Sequence, residues 1–498
     1  MRNNHITNAQ GGPSIVIVGA GFAGLGMAME LERAGFHNIT ILERADGVGG
    51  VWRENTYPGA ACDTPSPLYS FSYEPKADWP KRFSEQPDIL QYLKGVAEKY
   101  DLLGKIQFST EVTETEFSEN TGTWTIRVSG GAELTADVLI MATGQLSRPA
   151  LPELPGISDF EGPAFHSAEW NHSVDLEGKR VAVVGTGASA IQFVPQIVSD
   201  VSHLTLFQRS AAWVLPKPDV EYTPLHHTVL TRIPPVRLAE RFLSWGIYEF
   251  LALALVDIPA IRPPVAKLAL NHLHKQVEDE DLRAKLTPDY EAGCKRGLLS
   301  NDYYPALTRP NVTVKTSAIT AVTPKGIVTA DGAHHEVDVI IYGTGFKGTE
   351  FLWPIKIFGR DRQALQDVWG PEGAHAYLGM NVSGFPNMFV MYGPNTNLGA
   401  GSIVYMLEAQ ARYIRQAVEV LAKRPGSAIE VRPEVEAEFN KKLQQRLDRS
   451  VWTLCSSWYR NAAGRITNNW PGTVSTYWLR TRRLRLSDYS ITRAGKDA

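Results

Sequence analysis

Short apolar runs without alternation recur along the chain and fall into two pairs. The first pair is residues 15–18 and 39–42, and the second is residues 180–184 and 204–207. Such runs are typical of parallel strands that are buried on both faces. Helical spacing over 25–34 places a helix inside the first pair, and the second pair has room for one. The pattern therefore predicts two strand–turn–helix–strand units of the α/β class.

Glycine-rich turns follow the first strand of each unit. Residues 19–24 read Gly-x-Gly-x-x-Gly, and residues 185–190 read Gly-x-Gly-x-x-Ala. In such a turn the glycines permit a tight bend and close approach of a pyrophosphate, which then faces the helix N-terminus. Each unit should therefore bind a dinucleotide, through Gly19, Gly21, Ala23 and Gly24 in the first and Gly185, Thr186, Gly187, Ser189 and Ala190 in the second.

The second strand of each unit ends at a charged residue, and the two residues have opposite charges. Glu43 lies 24 residues after Gly19, and Arg209 lies 24 residues after Gly185. A carboxylate at this place accepts hydrogen bonds from ribose hydroxyls and repels a 2′-phosphate. A guanidinium group suits a phosphate dianion instead. The second unit is therefore expected to prefer NADP(H) over NAD(H).

The remaining chain predicts a nested arrangement of domains. Apolar runs that end in glycine turns recur at 138–144 and 339–345, and three prolines between 149 and 155 indicate a stiff connector. The stretch 213–286 lacks the dinucleotide pattern and has helical spacing over 237–253, and the chain should return to the first domain near Phe346. The expected segments are 1–148 and 346–498 for the first dinucleotide domain, 149–212 and 291–345 for the second, and 213–290 for a helical insertion.

Composition narrows the class of protein. A formal charge of −3 argues against a nucleic-acid binder, which would be basic. Three scattered cysteines suggest neither a disulfide framework nor a zinc site, so a reducing cytoplasm is expected. The first residues lack the apolar core of a signal peptide. The apolar stretch 242–261 contains Glu249 and Asp257, which indicates a buried or interfacial helix and no integral membrane segment.

A few polar and aromatic side chains stand out between these elements. Asp63 is the one carboxylate between 56 and 73, Lys295 and Arg296 are adjacent, and His166 and Trp170 follow the proline-rich connector. Each has an ordinary explanation, namely a turn cap, a solvated basic pair and a packed linker. Together they carry more information than any of them alone.

These residues resemble the signatures of type I Baeyer–Villiger monooxygenases. Residues 160–170 read Phe-x-Gly-x-x-x-His-x-x-x-Trp, and residues 50–63 fit a second signature that ends in Asp63. The loop GPNTNLG at 393–399 also fits, and the resemblance covers nearly the whole chain. Where the family usually has proline or aspartate, this chain has Asn171, and related flavin monooxygenases that oxygenate sulfur or nitrogen relax the same position. Heteroatom oxygenation therefore stays the alternative.

The resemblance implies the cofactors and the chemistry. FAD would occupy the first domain and NADPH the second, so the expected fold is α/β with two Rossmann-like dinucleotide-binding domains (FAD and NADP) and a helical insertion. A C4a-peroxyflavin would attack a ketone and give an ester or lactone. By similarity Arg296 stabilises the negative charge of that reaction, Asp63 positions Arg296, and His166 with Trp170 couples cofactor binding to domain position.

The same resemblance fills in the binding residues. No metal is expected, the partners are dioxygen and a small hydrophobic ketone, and the sequence leaves the oligomeric state open. The insertion and the segment 455–473 should line the substrate pocket. A disulfide reductase would need a cysteine partner near Cys62, and a redox sensor would lack turnover; both are weaker alternatives. Further expected FAD contacts are Val51, Trp52, Cys62, Asp63, Tyr69 and Val112, and further expected NADP contacts are Gln208, Arg209, Ser210 and Lys295.

Overall fold

The structure is a computed structural model that describes residues 12–493 and 495. Its strands are β1 Ile15–Val18, β2 Ile39–Leu42, β3 Ile106–Gln107, β4 Val112–Ser118, β5 Thr123–Val128, β6 Glu133–Ala136, β7 Val138–Met141, β8 Ala164–His166, β9 Arg180–Val184, β10 His203–Phe207, β11 Val214–Leu215, β12 Leu298–Leu299, β13 Val312–Lys315, β14 Ile319–Thr323, β15 Gly326–Thr329, β16 His334–Glu336, β17 Val339–Tyr342, β18 Lys356–Phe358, β19 Met388–Val390, β20 Ser427–Val431 and β21 Tyr489–Arg493. Its α-helices are α1 Phe22–Arg33, α2 Val51–Glu54, α3 Gln86–Lys99, α4 Ala190–Ile197, α5 Pro224–Arg232, α6 Pro234–Val256, α7 Arg262–Gln276, α8 Glu280–Leu286, α9 Tyr303–Leu307, α10 Leu365–Trp369, α11 Ile403–Ala422, α12 Pro433–Leu447 and α13 Val474–Thr481.

The first parallel sheet is assembled from both ends of the chain. Its strand order is β19-β7-β1-β2-β3, and its central strands are completely buried. The edge strand β19 pairs with β7 in the register Met388 to Leu139. Residues 388–390 therefore lie in the first sheet, and α11 packs with α1 in the same core cluster.

The second parallel sheet has the order β13-β10-β9-β17-β8. Its edge strand β8 pairs with β17 in the register Tyr342 to His166, so the fingerprint segment 160–170 contributes the edge strand of this sheet. The α/β fold with two Rossmann-like units and a helical insertion is as expected. The exact boundaries between the domain segments stay a prediction.

Antiparallel strands were not expected from the sequence. The strands β18, β4, β5 and β6 form one mostly antiparallel sheet, and β14 to β16 form another. The strand β5 alternates buried and half-buried residues, as a sheet with one covered face requires. Helix α1 also begins three residues earlier than expected, because the helix starts inside the glycine motif.

The insertion is mainly helical, with α5 to α8 between residues 224 and 286, but it is preceded by the short strand β11. Within the described residues, each helix taken alone is too short or too polar to cross a bilayer. The segments Pro234–Val256 and Pro259–Gln276 reach that length and composition only together, across a bend of 115°. The buried alternative for 242–261 is wrong, because Phe242 and Phe250 are exposed.

The cysteines correct one expectation. Cys294 and Cys455 form a disulfide bond across 161 residues, whereas Cys62 is free and buried. Wide spacing in sequence does not exclude a disulfide, because folding brings distant segments together. The bond joins the segment that carries Arg296 to the C-terminal segment expected near the substrate.

Candidate active site

The first glycine turn has the shape of a phosphate cradle. Gly19 has a φ of +107°, and a Cβ atom added to Gly24 would lie 1.8 Å from the Gly19 carbonyl oxygen. A Cβ atom on Gly21 would lie 3.6 Å from the Cα atom of Gly50, so two glycine backbones meet here without side chains. These features leave the amide edge of the turn open to a pyrophosphate. The residues present therefore fit a dinucleotide such as FAD.

Glu43 closes this turn from the end of β2. One carboxylate oxygen accepts a hydrogen bond from the Ala20 amide at 2.7 Å, and the other accepts from the Ala45 amide at 2.9 Å. Each oxygen still has lone-pair capacity for a ribose hydroxyl. The carboxylate is buried, and a phosphate beside it would meet uncompensated like charge. This environment favours a dinucleotide with a free ribose.

The loop after this turn places several of the expected FAD contacts together. Val51 and Trp52 lie in the short helix α2, and the Trp52 indole donates to the Tyr69 hydroxyl at 3.1 Å. The Tyr69 ring packs edge-on against Phe22 at 5.1 Å, next to Ala23 in the glycine turn. The side chain of Val112 instead packs in a separate core cluster, which leaves its backbone as the part that could contact a cofactor.

The thiol of Cys62 lies beside this loop but is chemically quiet. Its sulfur accepts a hydrogen bond from the Thr64 amide at 3.4 Å. Burial, with a smaller effect of the Asp63 charge, raises the pKa of Cys62 to about 12. A thiol with that pKa stays protonated and is a poor nucleophile. The disulfide reductase alternative, which needs a reactive cysteine pair at this place, therefore fails.

Asp63 and Arg296 form a bidentate ion pair between the two units. The Arg296 Nε atom donates to one Asp63 oxygen at 2.7 Å, and Nη2 donates to the other at 2.8 Å. Burial alone would raise the pKa of Asp63, but the Arg296 charge and hydrogen bonds outweigh it and hold that pKa below its ordinary value. The Asp63 charge in turn raises the pKa of Arg296. The guanidinium group is therefore a fixed, permanent cation.

A contact between the two units holds the Asp63 loop in place. Gln192 on α4 accepts from the Tyr57 hydroxyl at 2.8 Å, and its amide donates to the Ala61 carbonyl at 3.0 Å. Gly59 lies so close that an added Cβ atom would be 2.8 Å from the Gln192 carbonyl. The helix of the second unit therefore positions the loop that carries Asp63. Sequence reasoning missed Gln192, because an isolated glutamine in a helix carries no motif.

Tyrosines lie close to the ion pair, and sequence reasoning missed Tyr248 and Tyr392, whereas Tyr459 belongs to the segment 455–473 that was expected to line the pocket. Tyr248 on α6 donates to the Asp63 carbonyl at 3.0 Å, and Tyr392 donates to Asn397 at 2.7 Å. Burial raises the pKa of Tyr459 to about 12, against the opposing charge of Arg296. The Tyr459 hydroxyl is buried and has no hydrogen-bond partner among the described residues. Only the apolar, aromatic character of the insertion and of 455–473 hinted at such a lining.

A second cationic group lies at the glycine turn of the second unit. Lys295 donates to the Ser210 hydroxyl at 2.8 Å, and Thr186 donates to the Ser210 carbonyl at 3.1 Å. Burial, followed by the charge of Arg209, lowers the pKa of Lys295. In the described part of the chain, neither cation forms a salt bridge. A phosphate dianion between them would relieve this repulsion, so the donor set fits the 2′-phosphate of NADP.

The other expected residues of the second unit have structural neighbours. Gln208 is buried, and its amide donates to the Lys285 carbonyl at 2.7 Å, which joins the unit to α8. Gly185 and Gly187 form the open turn, Ser189 precedes α4, and Ala190 is its first residue. Because Gln208 is already engaged, its side chain supports the site rather than presenting a free donor.

The fingerprint segment joins the two halves of the site through packing. His166 is buried beside Phe346 at 5.9 Å between ring centres, and burial lowers its pKa, so it is neutral at pH 7. Trp170 packs against Phe193 at 5.3 Å. The Asn171 side chain accepts hydrogen bonds from Ser173, a role that an aspartate oxygen fills equally well. The departure at this position therefore preserves the local turn.

Two glycine turns on separate sheets, with a fixed arginine between them, define a protein that binds two dinucleotides around a cationic centre. The model of flavin-binding monooxygenase-like proteins matches residues 12–356. The chain belongs to this family.

Known proteins of this family resemble the chain over nearly its full length. A protein of Pseudomonas aeruginosa named Baeyer–Villiger monooxygenase is 43% identical over 481 residues, which is 96% of this chain and 91% of that protein. Oxidised steroid monooxygenase bound to NADP has a TM-score of 0.86 at 31% identity, covering 97% of this chain and 100% of its own. The complex of OTEMO with FAD and NADP has a TM-score of 0.86 at 27% identity, with the same coverage. The resemblance inferred from the motifs is confirmed.

Proposed function

We propose that this protein is an FAD-dependent monooxygenase that uses NADPH and dioxygen to convert a hydrophobic ketone to an ester or lactone. The observation that carries this function is the bidentate pair between Arg296 and Asp63. It provides a permanent cation at a place that both dinucleotide units face. The relatives named as Baeyer–Villiger monooxygenases support the same reaction class.

The proposed chemistry assigns a distinct task to each charged group. Bound FAD supplies dioxygen activation after reduction by NADPH. Arg296 stabilises negative charge on oxygen during the attack on the ketone carbonyl, and it cannot lose its own proton. Asp63 keeps the guanidinium group in one orientation through two parallel hydrogen bonds. Neither residue transfers a proton in this scheme.

Substrate recognition follows from the walls of the site. Tyr248, Tyr392 and Tyr459 bring aromatic rings close to the ion pair, and all three are substantially buried. Such walls suit an apolar ketone whose carbonyl group points at the cation, because the carbonyl oxygen is the part of such a molecule that can accept a hydrogen bond. A buried hydroxyl such as that of Tyr459 gives a second donor for the same oxygen.

Product analysis tests the function directly. The FAD-loaded protein is incubated with NADPH, ¹⁸O-labelled dioxygen and a panel of cyclic and linear ketones, with sulfides and amines in parallel. We expect esters or lactones that carry one labelled oxygen. Labelled sulfoxides or N-oxides with no ketone conversion would establish the heteroatom alternative, and NADPH oxidation without any labelled product would contradict both.

A matched pair of arginine variants locates the chemistry. Arg296→Ala should lower ketone turnover about 100-fold or more, as loss of an oxyanion donor does. Arg180 makes a similar two-pronged contact with Asp338, at 3.2 and 2.8 Å, on an exposed edge. Arg180→Ala should leave turnover nearly unchanged. Equal losses in both variants would show that the Arg296 effect is structural.

The compartment is a separate matter. We infer the cytoplasm from the low cysteine content, as the sequence predicts. The Cys294–Cys455 bond counts against it, because disulfides are rare in cytosolic proteins. Thiol trapping in intact cells, before lysis, decides whether that bond exists where the protein resides.

A further inference from the structure

Exposed apolar side chains are concentrated on one part of the helical insertion. Nineteen large apolar residues are exposed among the described residues, and ten of them lie between 225 and 268. Six of them lie on α6 and are 41% to 66% exposed, namely Val236, Leu238, Phe242, Leu243, Ile247 and Phe250. Such a concentration of exposed apolar side chains on a folded protein indicates an interaction surface. We call these ten residues the apolar face.

Helix α6 presents different residues to the protein and to the outside. Leu243, Ile247 and Phe250 recur at spacings of four and three, which places them on one side of the helix. Leu238 and Phe242 are also four residues apart and extend the exposed surface around the helix. From the other side, Tyr248 donates to the Asp63 carbonyl at 3.0 Å, and Arg241 donates to the Ser70 carbonyl at 3.1 Å. The α6 part of the apolar face is therefore the outer surface of the helix that borders the candidate active site.

Basic residues outnumber acidic ones between residues 223 and 276, and a run of four carboxylates follows at 278–281. Residues 223–276 contain six lysines and arginines and three carboxylates, a net charge of +3 in a chain whose total is −3. All three carboxylates are engaged. Glu240 accepts from the Tyr222 hydroxyl, Glu249 accepts from the Val474 amide, and Asp257 pairs with Arg446. The exposed bases Arg232 and Lys267 are thus left to frame the apolar surface.

A second helix, α13, also carries exposed apolar side chains next to basic ones. The amide contact of Glu249 fixes the N-terminus of α13 against α6 at 2.8 Å. Trp478 and Leu479 follow within two turns and are exposed, and a run of four arginines comes next, at 480, 482, 483 and 485. Aromatic and aliphatic side chains beside arginines match the boundary between acyl chains and anionic headgroups.

We propose that the apolar face seats the enzyme on the surface of an anionic lipid bilayer, with α6 lying in the headgroup region. The apolar side chains enter the acyl boundary, and the basic frame binds the headgroups. A second copy of this chain would bring the same positive frame against itself, which disfavours that occupant. This inference extends the proposed function but does not depend on it.

Vesicle binding of the FAD-loaded protein tests the proposal. The protein is mixed with sedimentable vesicles of phosphatidylcholine alone, or of phosphatidylcholine and phosphatidylglycerol in equal parts, at low and high salt. We expect clear binding to the anionic vesicles, weaker binding at high salt, and the weakest binding to phosphatidylcholine. Absence of binding to anionic vesicles at low salt would overturn the proposal.

Paired variants test the location. Phe242→Ser with Phe250→Ser should weaken vesicle binding about tenfold or more, because two apolar side chains no longer leave water. Leu103→Ser with Leu151→Ser removes exposed apolar groups outside the apolar face and should bind as the wild type does. Equal binding of all three proteins would overturn the location.

Two further measurements distinguish bilayer binding from a loss of the oxygenation activity and from self-association. Turnover of a water-soluble ketone without vesicles should be unchanged in the Phe242 and Phe250 variant, so failure of the oxygenation reaction is recognised independently. Light scattering reports self-association. The wild-type protein could form an oligomer that the Phe242 and Phe250 variant does not form, and fail to bind vesicles. That result would assign the apolar face to a second copy of the chain and overturn the bilayer proposal.

Discussion

The two dinucleotide units share a backbone turn but differ in the side chains that surround it. Gly19 and Gly185 both have a φ of +107°, and a Cβ atom on either would lie 2.6 or 2.5 Å from the carbonyl oxygen of Ala142 or Gly343. The strand that follows each glycine motif nevertheless ends at a charged residue, and the two charges are opposite, Glu43 in the first unit and Arg209 in the second. The same turn therefore serves two cofactors, and side chains outside the turn select between them.

The difference also extends to how each charge is held. Glu43 is buried and locked by two backbone amides, so its position is fixed by the fold. Arg209 is exposed, and its neighbour Lys295 donates to the Ser210 hydroxyl and lies over the Tyr290 ring at 4.4 Å, without the two backbone amides that hold Glu43. The fixed position of Glu43 suits a cofactor that is retained through many turnovers. The exposed Arg209 suits a cofactor that exchanges in every cycle. Four experiments test this comparison of the two dinucleotide units.

Gly24→Ala should have the largest effect. The added methyl would lie 1.8 Å from the Gly19 carbonyl, so the first turn must distort, at a cost of about 3 kcal/mol or more. We expect purified protein with little FAD, measured by flavin absorbance. The matching position of the second unit is already Ala190, and Ala190→Gly should keep FAD while losing about 1 kcal/mol of stability. A yellow, fully loaded Gly24→Ala protein would refute the rigidity of the first turn.

Arg209→Ala should act on the second unit alone. Loss of a charge-assisted contact with a phosphate costs about 1.5–3 kcal/mol, which corresponds to a rise of about 10- to 100-fold in the KM for NADPH. The KM for NADH and the FAD content should hardly change. Steady-state kinetics with both nucleotides measure the effect, and equal increases for NADPH and NADH would remove Arg209 from the phosphate site.

The pH dependence of NADP⁺ binding should report Lys295. Its pKa is lowered by burial and then by Arg209, so its proton is lost at a lower pH than from an ordinary lysine. Affinity should therefore fall as pH rises through that lowered pKa. Arg209→Ala removes the repulsion and should move the fall to higher pH. Fluorescence titration over a pH series measures both, and a Lys295→Met protein with the same fall would show that another group titrates.

Thiol titration should give the smallest signal. Three cysteines are present, and two of them form the bond next to the Lys295–Arg296 segment. The native protein should react slowly, since Cys62 is buried with a pKa of about 12. The denatured protein should show one thiol, and the reduced, denatured protein three. Three thiols without reductant would show that the second unit is as free of cross-links as the first.

Much of the fold was predictable because it depends on local patterns. The runs at 15–18, 180–184 and 339–342 are buried parallel strands whose character is written in consecutive apolar residues. The antiparallel sheet around β4 and β5 escaped prediction, because alternation over six residues is a weak signal. The disulfide escaped because its two cysteines are far apart in sequence.

The candidate site likewise contains residues that the sequence predicted and residues that only the structure revealed. Asp63 and Arg296 were identified through motifs, and the structure brings their side chains together at 2.7 Å. Gln192, Tyr248 and Tyr392 carry no motif and became visible only through their contacts. A residue that acts through position alone cannot be recognised from its type.

The sequence by itself determined the two nucleotide units, their opposite charges and the resemblance to a monooxygenase family, since spacing and residue type are properties of the chain. Only the tertiary structure decided which tyrosines border Arg296, that Cys294 joins Cys455, and that the outer side of α6 is exposed. The physical reason is that these features depend on contacts between segments separated by 100 residues or more along the chain, or on the absence of such contacts. Local sequence patterns do not record them.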